Sequence, residues 1–292
     1  MFALRFFSIA ILAISSFAAP STPPGQVVTP KGLRDASTVH EIPSGGKVKH
    51  VGNSTVHIIS NTGSVLKVVK LKPELEAAVP TPTSDAPIPL QTGWVAYAHY
   101  FNNDVPIGSF KTTWTVPPTP AANHGQTLFL FNSIEPGSFD GIMQPVLQWG
   151  PSAAGGGAQW MLASWYLYPG GTFFTPLVGV SVGQTLQGEV QLVGASGGTF
   201  NYLSSFTNVG GTALEVDGGE ELKWATLTLE AYGVTTRNDY PAGSTVFSAT
   251  NLELTNGGFP NINWATVSDT ADGIITTVNT EGSTAAVVTI TY

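Results

Sequence analysis

Glu230 is the only charged residue in the run Ala225 to Tyr232 (ATLTLEAY), which is otherwise apolar or Thr. Side chains alternate along an extended chain, so Glu230 shares a face with Thr226 and Thr228, opposite Leu227, Leu229 and Ala231. Gln148 is likewise the lone polar residue of Val146-Leu147-Gln148-Trp149-Gly150. Glu135 closes the run Asn132-Ser133-Ile134, just before Pro136-Gly137. A carboxylate can take a proton from water. A side-chain amide can orient that water and donate to the oxyanion that develops on an attacked carbonyl. Together they suffice to hydrolyse an amide without metal, cofactor or covalent intermediate. Each residue also has a plainer reading: Glu230 as a solvated glutamate on an outer face, Gln148 as a structural amide bonding across a strand. The residues alone leave both open.

Other chemistries find little support. There is no cysteine, which removes thiol nucleophiles, thiolate metal sites and disulfides. After residue 90 the only histidines are His99 and His124. Neither has a Gly-flanked Ser or an evident Asp partner, as a Ser-His-Asp triad requires. No HExxH or histidine cluster offers a zinc site, and no Gly-rich phosphate loop precedes a helix.

The elements that must position these side chains read as strands. Thr92–Tyr100, Phe110–Val116, Thr127–Ile134, Ile142–Trp149, Gln159–Tyr168, Val178–Val180, Thr185–Val193, Gly198–Thr207, Ala225–Tyr232, Ser244–Leu254 and Ala285–Tyr292 are rich in Val, Thr and aromatic residues. Gly, Pro, Asn and Asp clusters separate them. Leu186, Gly188, Val190 and Leu192 alternate with Gln187, Glu189 and Gln191, a period of two. No long segment carries a helical period with caps. The expectation is an all-β domain, a two-sheet antiparallel β-sandwich of jelly-roll or concanavalin-like type. Pro151 to Gly157 (PSAAGGG) reads as a flexible loop beside a groove.

Three segments are expected. Residues 1–19 have a cationic start at Arg5, an apolar run from Phe6 to Ile14 and small residues near Ala18, which is a secretory signal peptide. The protein is therefore expected to be secreted and extracellular, with no membrane span. Residues 20–89 form a basic propeptide and linker. They hold seven Lys and Arg against five carboxylates, short β-type runs at Thr55–Ile59 and Val65–Leu71, and a Pro-rich stretch from Val79 to Pro89. Asn53-Ser54-Thr55 is a glycosylation sequon. Residues 90–292 hold fourteen carboxylates against three cations, Lys111, Lys223 and Arg237. Such acidity speaks against nucleic acid as a partner and suits work at low pH. A basic segment tethered to an acidic domain reads as a propeptide that masks the mature surface by charge. The plainer alternative is an extension with no inhibitory role.

Taken in order, the short motifs after residue 90 resemble the glutamic peptidases, the eqolisin family. Gly93-Trp94-Val95-Ala96 is similar to its Trp-Gly-Gly-Ala start, and the Phe110 to Pro117 run to its strand ending in Val-Pro. Phe131-Asn132-Ser133-Ile134-Glu135 falls where the family has Trp-Val-Gly-Ile-Asp. Leu147-Gln148-Trp149-Gly150 looks like Leu-Gln-Thr-Gly, whose Gln is catalytic. Ser164 to Pro169 resembles the family's Ala-Trp-Tyr-Glu-Trp-Tyr-Pro segment, Val180 to Leu186 its Ile-x-Gly-Asp strand entry, and Ala225 to Glu230 the segment that ends in the catalytic Glu. The resemblance implies a secreted acid endopeptidase with a Gln148–Glu230 dyad. It also implies substrate-binding roles for Trp94, Glu135, Trp165 and Tyr166, a polypeptide substrate, the chain's own propeptide as inhibitor, and no cofactor or metal. Gln144 is a second candidate amide; the Leu-Gln-x-Gly pattern favours Gln148. Departures are Glu135 for Asp, Leu167 for Glu, Phe131 for Trp, and the missing cysteines.

Two other readings remain on the residues. A carbohydrate-binding or glycan-hydrolysing sandwich would pair Glu135 with Glu230 across a groove, with Trp149, Trp160 and Trp165 as sugar platforms. A family-like domain that has lost catalysis and serves binding would account for Glu135 and Leu167. A monomer is expected.

Overall fold

The computed structural model describes residues 22–52, 54–72 and 93–292. The expected signal peptide, Asn53 of the sequon and the Pro-rich linker lie outside them. In chain order the N-terminal segment holds β1 (Gln26–Thr29), β2 (Gly32–Asp35), β3 (Val39–Glu41), β4 (Lys47–His50), β5 (Thr55–Ile59) and β6 (Val65–Lys70). Then follow β7 (Gly93–Phe101), β8 (Ile107–Thr115), β9 (Thr127–Pro136), β10 (Ile142–Ser152), β11 (Gly155–Tyr168), β12 (Gly171–Phe174), β13 (Val178–Gly179), β14 (Thr185–Ser196) and β15 (Thr199–Phe206). The chain ends with β16 (Leu214–Gly219), β17 (Leu222–Tyr232), β18 (Ser244–Leu254), β19 (Ala265–Val267), β20 (Ile275–Thr280) and β21 (Ala286–Thr291). Among the described residues the helical elements are two single 3₁₀ turns, Ala36–Thr38 and Arg237–Asp239.

These strands form two large sheets. One runs β19-β7-β17-β9-β10-β11-β12-β3; the other runs β20-β21-β18-β8-β14-β15-β16-β4-β5-β6. The fold is the all-β sandwich expected. Trp114, Phe110, Leu130, Leu147, Leu186, Val190, Phe206 and Leu229 belong to the apolar core shared by the sheets. Alternation explains the placement: Leu186, Gly188 and Val190 of β14 point inward and are buried.

Two pairings depart from the antiparallel pattern. β3 adds parallel to β12, and β4 parallel to β16, so the N-terminal segment extends one edge of each sheet. Covering an edge in this way satisfies its free N–H and C=O groups. Lys47 of β4 also pairs with Asp217 of β16 at 2.9 Å. Four short strands, β12, β16, β19 and β20, fall where the sequence was read as connections. Pro151 to Gly157 forms a tight hairpin between β10 and β11, with Gly155 and Gly156 at positive φ.

The first sheet is unusual in being buried on both faces. Every residue of β9 is buried. One face meets the second sheet. The other carries a separate apolar cluster of Phe129, Phe131, Ile142, Val146, Ala163, Trp165 and their neighbours, against which Val28 and Val39 of the N-terminal segment pack.

Candidate functional site

Register brings the sequence candidates to that second face. In the ladders, Glu230 of β17 pairs with Phe129 of β9, and Phe129 pairs with Gln148 of β10. Residues directly opposite in an antiparallel ladder project to the same side. Gln148, Phe129 and Glu230 therefore form one row across three strands, with the Phe129 side chain between the amide and the carboxylate. Trp94 of β7 pairs with Glu230 on its other flank. It stacks on Trp224 at 5.5 Å and meets Phe131 edge-on at 5.8 Å.

Over this row lies the β1–β2 hairpin. Its two-residue turn is Pro30-Lys31, since Thr29 pairs with Gly32. The Lys31 backbone N–H donates to Glu230 Oε1 at 2.6 Å. Its ammonium donates to Glu135 Oε2 at 2.5 Å, to the Phe139 carbonyl at 2.7 Å and to the Gly141 carbonyl at 3.3 Å. One lysine thus touches both carboxylates singled out in the sequence. Lys31 has φ 70°, a left-handed conformation that Gly or Asn adopt more readily at such a turn.

Glu230 is fully buried. Its Oε1 also accepts from the Tyr232 hydroxyl, and its Oε2 has no partner among the described residues. Burial pushes its carboxyl from 4.5 up to about 8, against the pull of the Tyr232 hydroxyl and the Lys31 N–H. Glu135 is raised to about 7, again by burial, with the Lys31 charge opposing. The solvated-glutamate reading of Glu230 does not describe this position.

Gln148 is buried, and both its amide hydrogens are engaged. Nε2 donates to the carbonyls of Gly150 at 2.8 Å and Gly155 at 2.9 Å, while Oε1 accepts from Ser152 Oγ at 2.8 Å. Its partners all lie in the β10–β11 hairpin. That hairpin is itself pinned by the N-terminal segment, because Ala153 N–H donates to the Val28 carbonyl at 2.8 Å. Gln144 lies on the same strand face, four residues away, buried and with neither amide atom partnered among the described residues.

The aromatic candidates divide by parity. Trp165 of β11 pairs with Gln144 and joins the apolar cluster on the Glu230 face. Tyr166, one residue on, belongs to the inter-sheet core, where its hydroxyl meets His50 Nε2 at 2.9 Å. Trp149 and Trp160 are buried in that core as well, ring to ring at 5.5 Å. The structure therefore brings Glu230, Gln148, Trp94, Glu135 and Trp165 to one face and leaves Tyr166, Trp149 and Trp160 on the other.

Several residues of the site were not anticipated. Tyr232 stands two residues from Glu230, so alternation alone places it on the same face. Lys31 sits in Pro30-Lys31-Gly32, a turn signal, but its reach to residues 135 and 230 is not a local property. Phe129, Trp224 and the Phe139 and Gly141 carbonyls carry no sequence signal of their own. Among the described residues no group of three or more His, Asp or Glu is placed to hold a metal ion, and no helix is long and apolar enough to cross a membrane.

No protein-family model matches the chain, and no curated protein matches it. Among solved structures the chain is similar to scytalido-glutamic peptidase bound to a peptide-based transition-state analogue, at 13% identity and TM-score 0.48, over 69% of this chain and 100% of that one. It is also similar to SCP-B, described as a member of the eqolisin family of peptidases in complex with the tripeptide Ala-Ile-His, at 12% identity and TM-score 0.47, over 69% of this chain and 100% of that one.

Proposed function

We propose that the chain is the precursor of a secreted acid endopeptidase that hydrolyses peptide bonds with Glu230, Gln148 and a water. The observation that carries this reading is the Lys31 turn: a polypeptide of the chain's own N-terminal segment lies over that sheet face with its main chain hydrogen-bonded to Glu230. A sheet face that accommodates a polypeptide backbone over a buried carboxylate suits a polypeptide substrate. The motif resemblance to glutamic peptidases names the same carboxylate.

In this mechanism the Glu230 carboxylate takes a proton from the attacking water. Tyr232, donating to Oε1, holds the carboxylate in place. Gln148 Oε1 helps orient the water, and its amide supplies an oxyanion donor. With the N-terminal segment docked, the Gln148 hydrogens are bound to Gly150 and Gly155. Departure of the hairpin removes the Val28 tie on Ala153, uncovers Glu230 and frees the β10–β11 hairpin to release the amide. The segment thereby acts as the inhibitor of its own domain.

The carbohydrate reading has less support. Two of the three tryptophans it needs as platforms, Trp149 and Trp160, are buried between the sheets.

The test is hydrolysis of acid-denatured protein at pH 3, after acid maturation, wild type beside Glu230→Gln, with an inhibitor of aspartic peptidases present. Cleavage by the wild type alone is expected. Equal cleavage by both, or none by either from folded, processed protein, refutes the assignment.

A further inference from the structure

We infer that the pocket holding the Lys31 ammonium is a substrate subsite for a basic side chain, so that the matured protein prefers polypeptides with Lys or Arg beside the scissile bond. The inference rests on the peptidase reading and adds the substrate class.

The pocket is built entirely from the domain after residue 93. The Glu135 carboxylate comes from the end of β9, and the carbonyls of Phe139 and Gly141 come from the turn that follows it. An ammonium has three hydrogens and no acceptor; here it meets three acceptors, at 2.5, 2.7 and 3.3 Å. Glu135 is 1% exposed. A carboxylate so buried costs free energy unless a cation meets it, and its Oε1 has no partner among the described residues.

The turn is shaped for this purpose at some conformational cost. Phe139 adopts φ 60°, a left-handed backbone that a bulky residue rarely takes. Its ring is fixed edge-on against Trp224 at 5.2 Å and beside Phe101 at 6.0 Å, and its N–H is tied to the Pro136 carbonyl at 3.1 Å. These contacts hold the Phe139 carbonyl where the ammonium needs it.

Position relative to the reacting centre follows from one residue. The same Lys31 that places its side chain in the pocket places its main-chain N–H on Glu230. A substrate residue that takes the Lys31 conformation, with its N–H on Glu230, directs its side chain toward Glu135. Lys at the left-handed turn position, where Gly would fit with less strain, agrees with a side chain required by the pocket and not by the turn. Two of the three acceptors are carbonyls, which do not titrate, so a cation retains partners there in acid.

The experiment uses the full chain matured in acid and a set of fluorogenic peptides that differ only at the residues flanking the scissile bond: Lys, Arg, norleucine or Glu. Norleucine matches lysine's shape without its charge. A hydrogen-bonded charge in a buried pocket should raise kcat/KM for Lys and Arg about tenfold or more over norleucine, with Glu slowest. Glu135→Gln should shrink the Lys-to-norleucine ratio, and Glu135→Lys should reverse the order of Lys and Glu. The ratio is read within one preparation, so a lower yield of folded variant does not alter it, and the wild-type series decides the matter if neither variant folds. Equal rates for Lys and norleucine in the wild type overturn the subsite and leave the peptidase reading standing. Failure to cleave any peptide in acid overturns the peptidase reading and the subsite with it.

Discussion

Replacing Glu230 by Gln should stabilise the full chain near neutral pH while abolishing activity. An unfolded glutamate ionises around 4.5, but burial holds Glu230 at about 8. The sign follows from linkage. A raised carboxyl binds its proton more tightly in the folded chain, so its contribution to stability is full below about 4.5 and is lost as pH rises toward 8. Each pH unit in that window costs about 1.4 kcal/mol. At pH 7 the folded wild type forgoes roughly 3 kcal/mol; at pH 5, less than about 1 kcal/mol. Gln at 230 keeps an acceptor for the Lys31 N–H and the Tyr232 hydroxyl, so the hydrogen bonds to Oε1 survive. Thermal or urea unfolding of both full chains from pH 5 to 7.5 reads the difference, with a gel at each pH to exclude processing. The variant should melt higher at pH 7, by roughly 2–4 °C for each kcal/mol gained. A gap that is absent at pH 7, or that does not grow between pH 5 and 7, refutes the picture of Glu230 as a carboxylate buried under the hairpin.

Two further outcomes follow from the same geometry. His40 and His50 in the N-terminal segment are both held at about 4, mainly by burial, with the Lys67 charge adding to the effect at His40. The docked form favours the neutral rings, so docking is full above about 6.5 and weakens as pH falls toward 4. His50, which faces Tyr166 and Tyr168, becomes untitratable as His50→Gln, and amide hydrogen exchange across β4 and β5 should then need a lower pH to accelerate; an unchanged profile counts against it. Gly156 has φ +95°, and a Cβ there would lie 2.6 Å from Gln148 Nε2 and 2.8 Å from the Gly150 carbonyl, so Gly156→Ala should destabilise the chain by about 1–3 kcal/mol and lower kcat more than it changes KM; unaltered unfolding and kinetics would show that the hairpin does not position Gln148.

What the sequence made legible was local. Strands rich in β-branched and aromatic residues declared themselves, because pleat and side-chain shape act over a few residues. Alternation placed Glu230 with Thr226 and Thr228, and would have placed Tyr232 with them and Tyr166 apart from Trp165. Short strands such as β12 and β16 were hidden, since Gly171-Thr172-Phe173-Phe174 is set between β11 and a partner distant in the chain, β3. The parallel pairings of β3 and β4 are long-range choices of the same kind. The partners of Gln148 were hidden for another reason: they are carbonyls of Gly150 and Gly155, and backbone acceptors leave no trace in side-chain pattern. Charge gave the most at distance. Cations are in excess before residue 73 and carboxylates after residue 90, and Lys31–Glu135 and Lys47–Asp217 are ion pairs between the two stretches.

On the proposed reading, one hairpin sets three properties of the site together, and its removal should change all three in one direction. It buries Glu230, ties Ala153 and with it the loop that holds the Gln148 amide, and fills the pocket of Glu135. The effect on Glu230 has opposing parts. Losing the Lys31 N–H removes an influence that lowers the carboxyl, which alone would push it higher. Losing the cover relieves burial, the largest cause of the rise, which brings it lower. The proposed mechanism requires the relief of burial to outweigh that loss, giving an ionised carboxylate at lower pH. A general base for acid conditions needs that direction of change. The buried histidines of the same segment add a trigger, since acid charges them and weakens the docking that keeps Glu230 protonated. Direct titration of Glu230 by NMR in the full chain and in the acid-matured protein would show the fall; a carboxyl that stays near 8 after the segment has gone would leave the uncovered site without a base in acid, and the peptidase mechanism would fail with it.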